Sequence, residues 1–198
     1  MGGERRYSRQ ALTGFAIPGA ELRVLDPSGA EVPHDGGAIG EVVARGDMVM
    51  EGYWRQPEAT EAVMGKGWFH TGDIATIDED NYLHIVDRKK DVIVSGGENI
   101  SSLEVEKVLA AHPAVYEAVV IPVPDPRWGE VPKALVVLKP DEETTGSELM
   151  KFSRQRLAHY KCPHSIEFVE SLPKMGSGKI LKRELKQRYG TELKTAAN

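Results

Sequence analysis

The stretch "SLPKMGSGKIL", Ser171 to Leu181, sets Lys179 behind a Gly-Ser-Gly turn and directly before a basic segment. Glycines leave room for a polyanion or a carboxylate to come close to the backbone beside such a lysine. A Walker phosphate loop needs a glycine six residues before its lysine and a hydroxyl residue directly after it. Pro173 and Ile180 occupy those places, so Lys179 is not a Walker lysine. Alone, the stretch is either a solvated turn lysine or one placed to meet an anion.

Other residues could supply neighbouring chemistry. Asp73 closes "WFHTGD" at the expected start of a strand, where one carboxylate suits the paired hydroxyls of a ribose or simply begins a turn. Arg88 follows a short strand and could reach the same ligand. Gly96-Gly97 in "SGGENISS" either admits a ligand close to backbone or closes a tight turn. Trp128, in a proline-rich loop, is a stacking platform for a base or a loop anchor. The basic stretch from Lys174 to Lys194 is a solvated helix face or a phosphate contact. His34, His70, His84, His112, His159 and His164 have no zinc spacing, and Cys162 lies in no cysteine-hydrolase signature.

These residues need elements to hold them. Strand patterns run from Ala20 to about Val94: "AELRVL", the turn "DPSG", "GEVVARG", then "DIATI" and "YLHIV" as a hairpin across "DEDN", and "DVIVSGG" as one more strand. After Ile100 the period changes. Ser101 is placed to cap a helix with Glu104 as its partner, and Val105, Val108 and Leu109 form its apolar face. "VYEAVVI" and "KALVVL" read as buried strands on either side of a loop, "PVPDPRWGEVP". Ser147 to Ala158 reads as a second helix, "SIEFV" as a strand, and Leu181, Leu185 and Tyr189 as the inner face of a last helix. A β-rich first part thus gives way to an alternating α+β second part near Arg88-Lys89-Lys90. "DRKKD" is either a hairpin turn or a hinge between domains.

The 198 residues suffice for one large or two small domains. The net charge of −5 gives no footprint for nucleic acid or an anionic membrane. No apolar run approaches the roughly 20 residues needed to span a bilayer. A single cysteine excludes an internal disulfide and, with no signal peptide visible, the expected location is cytoplasmic.

The motifs gain meaning from their order. "GEVVARG", "GYW", "PEAT", "GWFHTGD", "DRKKDVIVSGGENISSLEVE", "WGE", "LAHYKCPHSIEFV" and "LPKMGSGKILKREL" together resemble the C-terminal portion of the adenylate-forming superfamily of acyl-CoA synthetases, peptide-synthetase adenylation domains and luciferases. The resemblance runs from about Pro18 to Tyr189. It implies an α+β fold: a β-barrel-like remnant of a large N-terminal domain over residues 1–88, then a small mobile domain of antiparallel sheet and flanking helices over 89–198. It implies Lys179 as the adenylation lysine, Asp73 and Arg88 at the ribose, and Lys90 as the hinge. Gly97 would lie along the pantetheine channel. Trp128 and Tyr160 would serve the coenzyme A nucleotide, with Lys161 a substitute for the basic residue some relatives have where this chain has Cys162.

By the same resemblance the substrates are ATP, with Mg2+ bound mainly elsewhere, coenzyme A, and a carboxylic acid, most like a medium- or long-chain fatty acid. Aryl-CoA ligases and peptide-synthetase adenylation domains are the alternatives within the family. The family's Ser/Thr/Gly-rich phosphate loop and acyl pocket are not in this sequence. The chain is therefore expected to be a C-terminal fragment, inactive alone, and "MGG" fits a cut. A different class of reading, a non-catalytic binding or regulatory module, also follows from that incompleteness.

Overall fold

A computed structural model of the chain describes residues 13–190. It is α+β and forms two compact units, parted between Lys90 and Asp91.

The first unit is a five-stranded antiparallel sheet. β1 (Ala20–Leu25) pairs with β2 (Gly40–Gly46), and β2 with β4 (Trp68–Ile77). The far edge of β4 is divided. β3 (Met64–Gly65) takes Trp68 and Phe69, and β5 (Leu83–Arg88) takes Asp73 to Ile77. A short helix, α1 (Pro57–Glu61), opens on a proline, whose fixed φ suits a first turn. Val24, Val32, Val42, Ala75, Ile77 and Leu83 make the core. The expectation that Asp73 begins a strand is corrected: β4 starts five residues earlier, because β2 and β3 already grip its first half.

The second unit is a sheet clad on both faces by helices. Its centre is β9 (Gly129–Leu138), paired along its length with β8 (Val115–Asp125). On its other edge β9 meets β10 (Ser165–Phe168) in parallel and β6 (Ile93–Ser95) at Gly129. β6 turns through Gly96-Gly97 into β7 (Glu98–Ile100), so "DVIVSGG" opens a hairpin rather than ending as one strand. The sheet is antiparallel, as expected, apart from the one parallel pair β9–β10.

Period two along β8 explains its unbroken apolar run. Ala118 and Val120 join one core with α2 (Ser102–Ala110) and α3 (Gly146–Arg154), while Val119, Ile121 and Val123 join a second with α4 (Lys182–Tyr189). A strand buried on both faces has no polar side to alternate with. Ser101 Oγ accepts from Glu104 N to cap α2, as expected. α3 is set by a residue not foreseen: Thr145 and Glu148 close a capping box. The helix ends at Arg154 rather than Ala158, where Ser153 Oγ has turned back to donate to Leu149 O.

The proline-punctuated loop is also corrected. Strand pairing continues through it, with Pro122 opposite Pro132, and only Pro126 to Trp128 form the turn. The Pro132 carbonyl accepts from His164 N at 2.7 Å, on the side away from β8. The two prolines thus meet at a position where neither owes the other a backbone N–H.

Candidate functional site

In the first unit the chemistry gathers where the outer edge of β4 passes from β3 to β5. Gly72 has φ +71, and its carbonyl accepts from Lys89 N at 2.8 Å. Thr71 Oγ1 donates to Val42 O and accepts from Asp73 N. Asp73 then stands opposite Arg88, the last residue of β5, and Arg88 Nε donates to Asp73 Oδ1 at 2.7 Å. Their side chains remain 25% and 56% exposed, so a ligand can reach both. A carboxylate oriented by a guanidinium, with a second oxygen to offer, is chemistry suited to vicinal hydroxyls.

Beside them, Glu41 accepts from His70 Nδ1 and Lys89 Nζ, each at 3.0 Å. Burial would raise the Glu41 carboxyl, but hydrogen bonds from His70 and Lys89 outweigh it and hold it below the usual glutamate range. Nothing local in the sequence marks Glu41, since its partners lie 29 and 48 residues away. Lys89 is thereby tied within its own unit. Asp91, two residues on, is buried and tied within the other, accepting from Lys186 Nζ of α4 at 2.8 Å. Lys90 lies exposed between these two anchored neighbours.

In the second unit Lys179 sits on a tight hairpin. Lys174 and Ile180 bridge, Met175 N donates to Lys179 O, and Gly178, at φ +83, donates to Met175 O. The lysines around it are committed. Lys174 pairs with Glu117 at 2.7 Å, a hydrogen bond that raises its ammonium. Lys182 pairs with Glu106 at 2.7 Å and donates to Ser102 Oγ, and Lys186 pairs with Asp91. Within the basic run, then, Lys174, Lys182 and Lys186 brace the fold while Lys179, Arg183 and Arg188 stay exposed; Lys194 lies outside the described residues. Among the described residues the exposed ammonium of Lys179 has no partner.

A cleft of about 330 Å³ lies on the same unit, lined by Ser95, Gly96, Trp128, Tyr160, Cys162 and His164 among others. Asp125 Oδ1 accepts from both Arg127 N and Trp128 N at 2.8 Å, and those backbone bonds, Trp128 first, lower its carboxyl. The turn thus presents an indole that is 44% exposed, with the Arg127 guanidinium stacked on it at 4.6 Å. Gly96 lies beneath: at φ +58, an added Cβ would stand 2.8 Å from Trp128 Cε3. The structure brings Trp128 and Tyr160 together here. It does not line the cleft with Gly97, whose φ is +89 and whose Cβ position is open, nor with Lys161. Lys161 binds Glu104 through both carboxylate oxygens at 2.7 and 3.0 Å, which raises its ammonium. Cys162 is buried, and burial pushes its thiol up. The Gly96-Gly97 doublet signalled the place; which of the two packs the indole depends on a contact 32 residues along the chain.

Among the described residues no cluster of three or more His, Cys, Asp and Glu side chains could hold a metal ion. No helix among them is long and apolar enough to cross a membrane.

Known proteins give this geometry a setting. The profile of the AMP-binding enzyme C-terminal domain matches residues 104–179, and that of the AMP-binding enzyme matches residues 2–54. A feruloyl-CoA synthase of Amycolatopsis sp is 49% identical over 189 residues, 94% of this chain and 38% of that protein. The chain belongs to the AMP-binding, adenylate-forming enzyme superfamily. A second relative within it is a peroxisomal butyrate–CoA ligase of Arabidopsis thaliana, 49% identical over 158 residues, 78% of this chain and 28% of the other. Among solved structures of the superfamily, ATP-bound MatB from Rhodopseudomonas palustris is 37% identical with a TM-score of 0.84, covering 91% of this chain and 36% of that one. The o-succinylbenzoate CoA synthetase of Bacillus subtilis, in complex with its acyl-adenylate intermediate, gives 35% and 0.83, covering 94% and 37%. The chain spans under two-fifths of the length of each of these four relatives.

Proposed function

We propose that this chain supplies the C-terminal portion of an ATP-dependent acyl-CoA ligase, an AMP-forming acid–thiol ligase. In the first half-reaction a carboxylate oxygen attacks the α-phosphorus of ATP, the α–β phosphoanhydride bond breaks, and pyrophosphate leaves. In the second, the thiolate of coenzyme A attacks the acyl carbonyl and AMP departs with the electron pair of the C–O bond.

The observation that carries the reading is Lys179: an ammonium with no partner among the described residues, on a backbone-braced hairpin, where Lys174, Lys182 and Lys186 are all paired. Adenylation brings two anions together, and a fixed cation offsets that repulsion. Comparable preorganised donors contribute about 3–4 kcal/mol to a transition state. Asp73 and Arg88 are assigned to the ribose hydroxyls, and Lys90 to the pivot between half-reactions. Trp128 and Tyr160, with Gly96 rather than Gly97 beneath the indole, are assigned to coenzyme A. Lys161 serves by holding Glu104 at the head of α2. Mg2+ would arrive with the nucleotide, and no residue of this chain is assigned to it.

The acid is assigned to the fatty-acyl class on "DRKKD" and "SGGENISS". The feruloyl-CoA relative favours a second reading, an aryl acid. ATP–pyrophosphate exchange with a panel of fatty and aryl acids decides between them, run on the protein translated from the whole gene. The 198-residue chain alone is expected to give no exchange. Turnover by it would overturn the assignment of a part, and no exchange by either protein would overturn the ligase.

A further inference from the structure

α4 begins three residues after Lys179, and two lysines one helical turn apart fix it. Lys182 is sunk between Ser102 and Glu106 of α2, at 2.6 and 2.7 Å, with side-chain exposures near 15% on both partners of the ion pair. Glu106 is itself held, accepting from Val120 N of β8 at 2.8 Å. Lys186 reaches instead to Asp91, the first residue of the second unit and the neighbour of Lys90. The adjoining face of the helix, Leu185 and Tyr189, is buried in the core against β8 and β9. Asp91 is 95 residues from Lys186 in sequence, so this pair closes the unit on itself.

The Lys182 bond secures α4 to the body of the unit; the Lys186 bond secures it to the point where the chain enters. Only the second has a partner adjoining Lys90. We propose that Asp91 and Lys186 are a positioning pair: they clamp α4 to the exit of the linker, and so fix the hairpin bearing Lys179 with respect to Lys90. Resting on the reading of Lys179 and Lys90 above, the pair makes linker exit, helix and lysine one stiff arm, so that rotation at Lys90 is delivered to the Lys179 ammonium undiminished. Misplacing a reacting group by about 1 Å can cost on the order of 100-fold in rate. Slack between pivot and lysine would therefore show in the step that uses the lysine.

Two measurements test this. Amide hydrogen exchange on the 198-residue chain compares wild type with Lys186→Met, which keeps the apolar stem, and Lys186→Arg, which keeps the charge. Exchange across residues 174–181 is expected to rise about 10-fold in Lys186→Met, with the protection of β8 and β9 retained, and to return toward wild type in Lys186→Arg. Unchanged exchange in Lys186→Met, or loss of protection throughout the sheet, overturns the clamp. In the whole enzyme, Lys186→Met is expected to slow adenylation at least 10-fold more than thioester formation from pre-made acyl-adenylate. Equal slowing of both steps overturns the positioning role while leaving Lys179 its own. Undiminished adenylation by Lys179→Ala instead overturns the reading on which the pair rests.

Discussion

Arg88 and Asp73 face each other across the first rung of the β4–β5 ladder, joined by a 2.7 Å bond from Nε to Oδ1. The guanidinium occupies one carboxylate oxygen and steers the other. Replacing Arg88 with Ala should therefore leave Asp73 present but unaimed. A charge-assisted hydrogen bond is worth about 1.5–3 kcal/mol, less at this exposure, so the KM for ATP in the whole enzyme should rise on the order of 10-fold. Initial-rate kinetics checks it, and Asp73→Asn should be at least as impaired.

Lys179→Ala should abolish adenylation, by about 100- to 1,000-fold, because one preorganised charge is removed from the transition state. Thioester formation from pre-made acyl-adenylate should stay within a few-fold of wild type. The two half-reactions, assayed apart, read this directly.

Gly96 and Gly97 should respond unequally to alanine. Both have left-handed φ, so each substitution costs about 1 kcal/mol of backbone strain. Only at Gly96 does the new methyl also meet the Trp128 ring, at 2.8 Å. Gly96→Ala should lose a further ~1–3 kcal/mol, or displace the indole and weaken coenzyme A binding. Denaturant unfolding and tryptophan fluorescence compare the pair; equal losses would sink the packing argument.

Acid should loosen the first unit through Glu41. Its carboxyl titrates lower in the fold than in the unfolded chain, so its contribution is complete above the unfolded value. That contribution is lost as pH falls through the depressed folded one. Wild type should thus lose thermal stability below about pH 4. Glu41→Gln should be less stable at neutral pH yet show a shallower fall on the acid side. Thermal melts from pH 7 to 3 follow both.

What the sequence discloses here is what depends on neighbours within one element. Leu181, Leu185 and Tyr189 announce the inner face of α4 at helical spacing, and Ser101 caps α2 three residues before Glu104. The motifs around Asp73, Arg88 and Lys179 are likewise contiguous. Contacts between distant segments left no such trace. Glu41 reads as an ordinary strand residue until His70 and Lys89 converge on it, and Lys186 as one basic residue among many until Asp91 is beside it. Prolines misled for a related reason. Pro122 and Pro132 break strands in general, yet here each turns its missing N–H away from the other strand. Only the register reveals that.

The same register has a consequence for how this chain behaves in company. Among the described residues β8 pairs with β9 alone, so its other side is a long, apolar margin that could recruit a strand from another molecule. Alternation sends the backbone of Ala118, Val120, Pro122 and Pro124 toward that margin. The two prolines have no hydrogen to offer, and the Val120 N–H is already taken by Glu106. An intruding strand would find almost no donors to read. Substituting Pro122 and Pro124 should thus promote self-association more than it harms the fold, a safeguard written into the strand that its composition would have marked as the hazard.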